Sequence, residues 1–277
     1  MGRLLQLGDI LATNAYLFPG KVGARDLTRS LTFRVWNERA CKLANALVGL
    51  GLGKGERIAV LAHNCLEWME IYAAVAKAGL VMVPINFRFV GSEVRYIVEN
   101  SEARAVIVQD DLLDSLEEVR AERLIADDKY VHFGGRTPAG HRSYEDLIAA
   151  ASSSEPLVNS GPDDPNALLY TSGTTGKPKG VIRDGGGLIL QAYLLQADWG
   201  FGRNDSGLLV MPMCHANSLY FAYVFAACGA ASCVYDRKSI EPEHLLTTLA
   251  GDKFTFTSLE LLSCRHTTSR CLDCPIP

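Results

Sequence analysis

The chain has 277 residues, 48% of them hydrophobic and 21% charged, and 27 Lys and Arg against 31 Asp and Glu give a net charge of −4. This balance excludes an intrinsically disordered chain and suits one large α/β domain or two modest ones. The acidic excess, without any long basic run, excludes a nucleic-acid binder that relies on bulk positive charge; no short-period repeat supports a collagen or coiled-coil reading.

The N-terminal stretch MGRLLQLGDILATNAYLF is too mixed in polarity for a secretory signal. Thr32 is placed to cap a helix in which Phe33, Trp36, Ala40, Leu43, Ala44 and Leu47 recur at helical spacing, and Gly51 is placed to stop it. Residues 57–62 (RIAVLA) then read as a buried strand, 66–78 as a helix, 80–85 as a strand and 92–99 as a helix. Strand 104–108 and helix 111–122 follow. A stretch rich in Ser, Pro, Asp and Gly, residues 151–165, interrupts the alternation. Beyond it the pattern resumes with strand 167–170, helix 187–198, strand 207–211, helix 219–227, strand 231–235, helix 241–250 and strand 253–257.

Continuous apolar strands separated by amphipathic helices imply parallel βαβ units, hence an α/β fold of layered, mostly parallel sheets. On this reading residues 1–151 form a first α/β subdomain, 152–165 a linker, 166–258 a second subdomain and 259–277 a tail. The linker divides either two domains or two subdomains packed as one.

Residues 216–235 carry no charge and approach the length of a bilayer span. Asn217, Ser218, Gly229 and Ser232 interrupt them, so a buried helix followed by a buried strand is expected, with no transmembrane segment and a cytoplasmic location. Cys41, Cys65, Cys214, Cys228 and Cys233 stand in apolar surroundings, where a reduced thiol acts as a small hydrophobe. Cys264, Cys271 and Cys274, with His266, could bind zinc in principle, but their spacing matches no pair of C-x2-C knuckles and no metal site is expected.

The chemistry is concentrated after the linker, in ALLYTSGTTGKPKGV (167–181). Gly173, Gly176 and Gly180 allow the backbone to approach a ligand closely. Thr171, Ser172, Thr174 and Thr175 supply hydroxyls, Lys177 and Lys179 supply charge, and Pro178 stiffens the turn between them. Such a concentration of donors and cations suits a polyphosphate. It is not a Walker loop, since Gly173 stands only two residues before Gly176-Lys177 and Pro178 follows.

The segment YTSGTTGKPKGV (170–181) resembles the phosphate-binding motif of the adenylate-forming, AMP-binding enzymes, a superfamily of acyl-CoA synthetases, luciferases and peptide-synthetase adenylation domains. The likeness extends upstream through LTFRVWNERACKLANAL and GLGKGERIAVLAHNCLEWMEIYAAVAKAGLVMVPINFR, and downstream through MPMCHANSLYF. Residues 31–259 are similar to the N-terminal half of such an enzyme, nearest to the acyl-CoA synthetase branch. The resemblance implies an acid–thiol ligase in which a carboxylate attacks the α-phosphate of ATP, giving acyl-adenylate and pyrophosphate, and the thiol of coenzyme A then displaces AMP.

It further implies that Thr171, Ser172, Gly173, Thr174, Thr175, Gly176 and Lys179 hold the ATP phosphates, with Mg²⁺ neutralising charge on the departing pyrophosphate, and that His215 lies near the acyl pocket. Lys177 has the weaker claim, a solvated lysine being the alternative. Tyr220, Phe221, Tyr223 and Phe225 could line an acyl tunnel or belong to the core; the uncharged surroundings favour an apolar acid, fatty or aryl.

Gly185 stands where many relatives carry a helix-start His. The family is about twice as long, and the second half supplies the adenine-binding strand, a Thr-Glu pair for Mg²⁺, a ribose-binding Asp and a catalytic lysine. After Thr257 the expected continuation gives way to SLELLSCRHTTSRCLDCPIP, as an altered reading frame or misplaced gene end would produce. The chain alone is therefore expected to form little or no acyl-adenylate, the alternative being a non-catalytic nucleotide-binding remnant or regulatory module. An interrupted sheet leaves an unpaired edge, which predicts self-association.

Overall fold

Short apolar runs bounded by turns become strands, and the amphipathic stretches between them become the helices that cover them. The computed structural model describes residues 6–158, 160–171 and 177–259. The chain opens with α1 (Leu7–Leu17), the hairpin β1 (Val22–Arg25) and β2 (Ser30–Thr32), and α2 (Phe33–Gly49). Thr32 caps α2 as the sequence predicts, its side chain accepting from the Val35 N–H at 3.3 Å; Gly51 beyond the helix has φ +81°.

Next come β3 (Arg57–Leu61), α3 (Glu67–Lys77), β4 (Val81–Ile85), α4 (Gly91–Asn100) and β5 (Ala103–Gln109). α5 (Glu117–Ala121), β6 (Tyr130–Phe133), β7 (Arg142–Ser143) and α6 (Tyr144–Ala150) complete the part before the Ser- and Pro-rich stretch. After it lie β8 (Pro165–Thr171), β9 (Lys179–Asp184), α7 (Gly185–Trp199), β10 (Ser206–Leu209), α8 (Ala216–Cys228), β11 (Ala231–Val234), α9 (Pro242–Gly251) and β12 (Phe256–Thr257).

Two sheets result, one of seven strands in the order β7-β6-β5-β3-β4-β8-β9 and one of five in the order β12-β10-β11-β1-β2. All neighbours are parallel except β8 with β9 and β1 with β2. Alternation along the strands sorts their faces. Ile58 and Val60 of β3 and Leu209 of β10 share one large core with α1, α2, α3, α7 and α8, while Ala59 and Leu61 face α4 and α5, and Leu208 faces Leu245 of α9. The order of layers is therefore helix, sheet, helix, sheet, helix, the fold class that the sequence predicts.

Three findings depart from the sequence reading. The helix expected over 111–122 is a 3₁₀ segment, Asp110–Leu116, followed by the short α5. Its carboxylates are engaged elsewhere: Asp110 Oδ1 lies 2.9 Å from His132 Nε2 and Asp111 pairs with Lys238, which favours local turn geometry over a continuous helix. Strand β9 carries no buried apolar run, since Val181 and Ile182 are exposed on the sheet edge, so periodicity alone does not reveal it.

The third concerns residues 151–165, which do not separate the sheets. β8 and β9, after the stretch, extend the sheet of β4, and β1, before it, pairs with β11 through Ala24 and Ser232. The stretch is also fastened down. Asn45 Nδ2 donates to the carbonyls of Ser152 and Ser154 at 2.8 Å, the buried Lys77 ammonium reaches Glu155 at 2.6 Å, and Gln6 Nε2 donates to the Gly161 carbonyl at 2.6 Å.

Among the described residues no helix is long and apolar enough to cross a membrane; the uncharged stretch 216–235 divides into α8 and β11. Cys41, Cys65, Cys214, Cys228 and Cys233 are free thiols. Cys264, His266, Cys271 and Cys274 lie outside the described residues.

Candidate functional site

In layered parallel sheets ligands bind beyond the carboxyl ends of the strands. Here those ends carry His63 and Asn64 after β3, Asn86 to Arg88 after β4, Thr171 at the end of β8, and Met211 to His215 after β10.

β8 and β9 form an antiparallel hairpin in which Tyr170 faces Gly180 and Thr171 faces Lys179. The two strands thus hold both ends of the glycine- and threonine-rich loop side by side. Thr171 and Lys179 are exposed, and the Thr171 hydroxyl reaches the Lys179 carbonyl at 3.5 Å. Ser172, Gly173, Thr174, Thr175 and Gly176 lie outside the described residues. Helix α4 buttresses the hairpin: Tyr96 donates from its hydroxyl to the Pro178 carbonyl at 3.1 Å, and the Lys177 ammonium sits 5.5 Å from the Tyr96 ring centre.

On the same helix Asn100 accepts from the Tyr170 hydroxyl at 2.7 Å, and burial pushes that phenol up to about 12, so it remains a donor near neutrality. A Cβ at Gly180 would come within 2.9 Å of Leu168 Cδ1, so the tip of that leucine would have to shift to admit one.

His215 occupies the N-cap position of α8. The helix runs opposite to β8: Tyr223 donates to Asn166 at 2.7 Å near the start of the strand, while Tyr220, one turn earlier, meets Arg183, whose register partner is Ala167. Its N-terminus therefore points toward the hairpin end of β8. The preceding Cys214 lies against the backbone of Phe87, just past β4, the parallel neighbour of β8. The segment therefore lies beyond the ends of β3 and β4, bonded to Asn64 and set against Phe87. Burial pushes the Cys214 thiol up to about 12, which makes it packing rather than a nucleophile.

The tunnel reading of the α8 aromatics gives way to the core reading for three of them. Phe221, Tyr223 and Phe225 are buried; Phe221 and Phe256 have ring centres 4.3 Å apart, and Phe225 packs 5.2 Å from Phe201. Tyr220 is half-buried, with the Arg183 guanidinium 5.4 Å from its ring centre. Gly185 and Gly186 open α7 at a crowded place, their N–H groups donating to the carbonyls of Asp164 at 3.1 Å and Pro162 at 2.7 Å. Asn86 accepts from the Arg88 N–H at 3.0 Å, a local turn that shapes the end of β4.

Sequence reasoning misses His63 and Asn64, whose only signal is a polar pair directly after a buried strand. The His63 ring packs 4.7 Å from that of Phe87, and its Nδ1 is buried without a hydrogen-bond partner among the described residues. Burial, followed by the Lys238 ammonium, holds this imidazole below the usual histidine value, with Asp111 opposing. Burial does the same to His141, helped by the Arg120 guanidinium.

A folded value below the unfolded one means that stability is complete above the unfolded pKa of about 6.5 and is lost as pH falls through the folded value. The melting temperature should accordingly decline from pH 7.5 to pH 5, and less steeply in His63→Gln. Scanning calorimetry checks this; equal slopes would remove His63 from the account.

Among the described residues no group of three or more His, Cys, Asp or Glu could hold a metal ion.

The structure is thus a two-sheet α/β protein with the β8–β9 hairpin at the carboxyl end of a parallel strand. Residues 11–259 match the AMP-binding enzyme family, and the chain belongs to it. It is 30% identical over 264 residues to a long-chain-fatty-acid–CoA ligase of Thermus thermophilus, covering 93% of this chain and 48% of that protein. An anthranilate CoA ligase solved with anthranoyl-AMP superposes with a TM-score of 0.86 at 25% identity, over 93% of this chain and 50% of that one.

The N-terminal domain of the Mycobacterium tuberculosis protein FACL13 shares the fold, with a TM-score of 0.83 at 24% identity over 94% of this chain and 64% of that one. The chain spans about half the length of the Thermus ligase.

Proposed function

We propose that this chain is the phosphate-binding portion of an ATP-dependent acid–CoA ligase. The observation that carries the reading is the pairing of Thr171 with Lys179, which closes the TSGTTGKPK hairpin at the end of β8 in a chain of this family. In this role Thr171, Ser172, Gly173, Thr174, Thr175 and Gly176 supply hydroxyl and amide donors to the triphosphate, and Lys179 supplies charge. The acid's carboxylate oxygen forms a bond to the α-phosphorus as the bond to the bridging oxygen breaks and pyrophosphate leaves. The thiolate of coenzyme A then attacks the acyl carbon and AMP departs. His215 borders the acid.

An apolar carboxylic acid fits the uncharged start of α8, and curated relatives include long-chain and medium-chain fatty-acid–CoA ligases. Because the 277 residues span 48% of the Thermus ligase, the reading for this polypeptide by itself is triphosphate binding with little or no turnover. Two measurements test it. Titrated ATP with Mg²⁺ should slow amide exchange across residues 165–184, and the purified chain should show no carboxylate-dependent exchange of pyrophosphate into ATP. Unchanged protection would remove the triphosphate site; carboxylate-dependent exchange would show that these residues suffice for adenylation.

A further inference from the structure

Asn64 stands where β3 of the larger sheet meets the smaller sheet. Its Nδ2 donates to the carbonyls of Val210 at 3.3 Å and Met211 at 3.2 Å, both at the exit of β10, and to that of Tyr235 at 3.3 Å, just past β11. Its Oδ1 accepts from the Met213 N–H at 2.8 Å. One carboxamide thus joins the carboxyl ends of three strands from two sheets.

The segment it holds leads directly to His215. Tyr72 of α3 donates from its hydroxyl to the Met213 carbonyl, Ser218 donates to the Met211 carbonyl at 2.7 Å, and the His215 N–H closes the turn onto the Pro212 carbonyl at 3.0 Å.

We propose that Asn64 is a positioning residue, fixing residues 211–214 so that His215 is presented at a set place at the head of α8; its functional meaning rests on the ligase reading above. The chemistry of the side chain matters more than its shape. Only a carboxamide offers donors to the carbonyls and an acceptor to the Met213 N–H in one plane. An ionised aspartate of the same outline would set an acceptor against three carbonyl oxygens and remove the carboxamide donor from each, Met211 keeping that of Ser218.

The test uses the full chain without nucleotide, as wild type, Asn64→Ala and Asn64→Asp. Amide exchange followed by mass spectrometry should accelerate by at least about tenfold across residues 211–216 in both variants, with β5 and β6 unchanged. The ring resonances of His215, assigned by their loss in His215→Gln, should shift in both variants. A space-filling role would leave the isosteric Asp variant like wild type, and that result, or unmoved His215 resonances, would overturn the proposal.

If a variant gives no cooperative melt, the wild-type Met213 N–H decides: slow exchange supports the proposal, and the rate of an exposed amide overturns it. Because no readout needs ATP, its failure is distinguishable from failure of the ligase reading, which the nucleotide titration tests separately.

Discussion

Replacing Lys179 by alanine should weaken the chain's affinity for ATP by about 10- to 150-fold, the loss of one charge-assisted contact of roughly 1.5–3 kcal/mol. Lys179 is exposed at the start of β9, opposite Thr171, and its backbone, not its side chain, builds the hairpin. The fold should therefore be indifferent, with a stability change within about 0.5 kcal/mol. Calorimetric titration with ATP, beside a thermal melt of the same sample, separates the two effects. Lys179→Arg keeps the charge and should lose less. An unaltered dissociation constant in the alanine variant would detach the ammonium from the triphosphate and leave the hairpin's backbone and hydroxyls as the whole of the site.

The largest expected effect on stability lies at Gly207→Ala. Gly207 sits in β10 between β11 and β12, paired with Ser232 on one side and Phe256 on the other. A Cβ there would stand 2.1 Å from Phe225 Cε2 and 2.5 Å from its Cζ. Phe225 is fully buried between Phe201 and Phe256, with ring centres at 5.2 and 5.7 Å, so its ring cannot swing aside without displacing its neighbours. Overpacking of this kind costs about 3 kcal/mol. For a chain of this size that is a drop of roughly 6–12 °C in melting temperature.

The double variant Gly207→Ala with Phe225→Leu should recover part of the loss, since two changes in direct contact do not add. Full additivity in the melts would mean that the ring is not the obstacle.

Much of the fold is legible in the sequence because its strands are buried on both faces. RIAVL and VMVPI are continuous apolar runs, and helices such as α2 combine a capping Thr32 with apolar spacing that admits one secondary structure. β9 is not legible because it is an exposed edge, and β1, β2, β6 and β7 are not because they lack the longer uncharged apolar run in which the equally short β10 and β11 stand. Asn64 is silent for another reason: its partners lie about 150 residues away, and no local pattern encodes a side chain whose bonds form across two sheets.

The sequence by itself determined the layered α/β class and the donor-rich composition of the loop between β8 and β9, because burial periodicity and a dense run of glycines, hydroxyls and lysines are local properties. Only the tertiary structure decided that β1 and β2 join strands late in the chain while β8 and β9 join earlier ones, that three of the α8 aromatics are core, and that Ser152, Ser154, Glu155 and Gly161 are fastened to the body of the protein. Strand pairing and side-chain burial are settled by contacts between segments far apart along the chain.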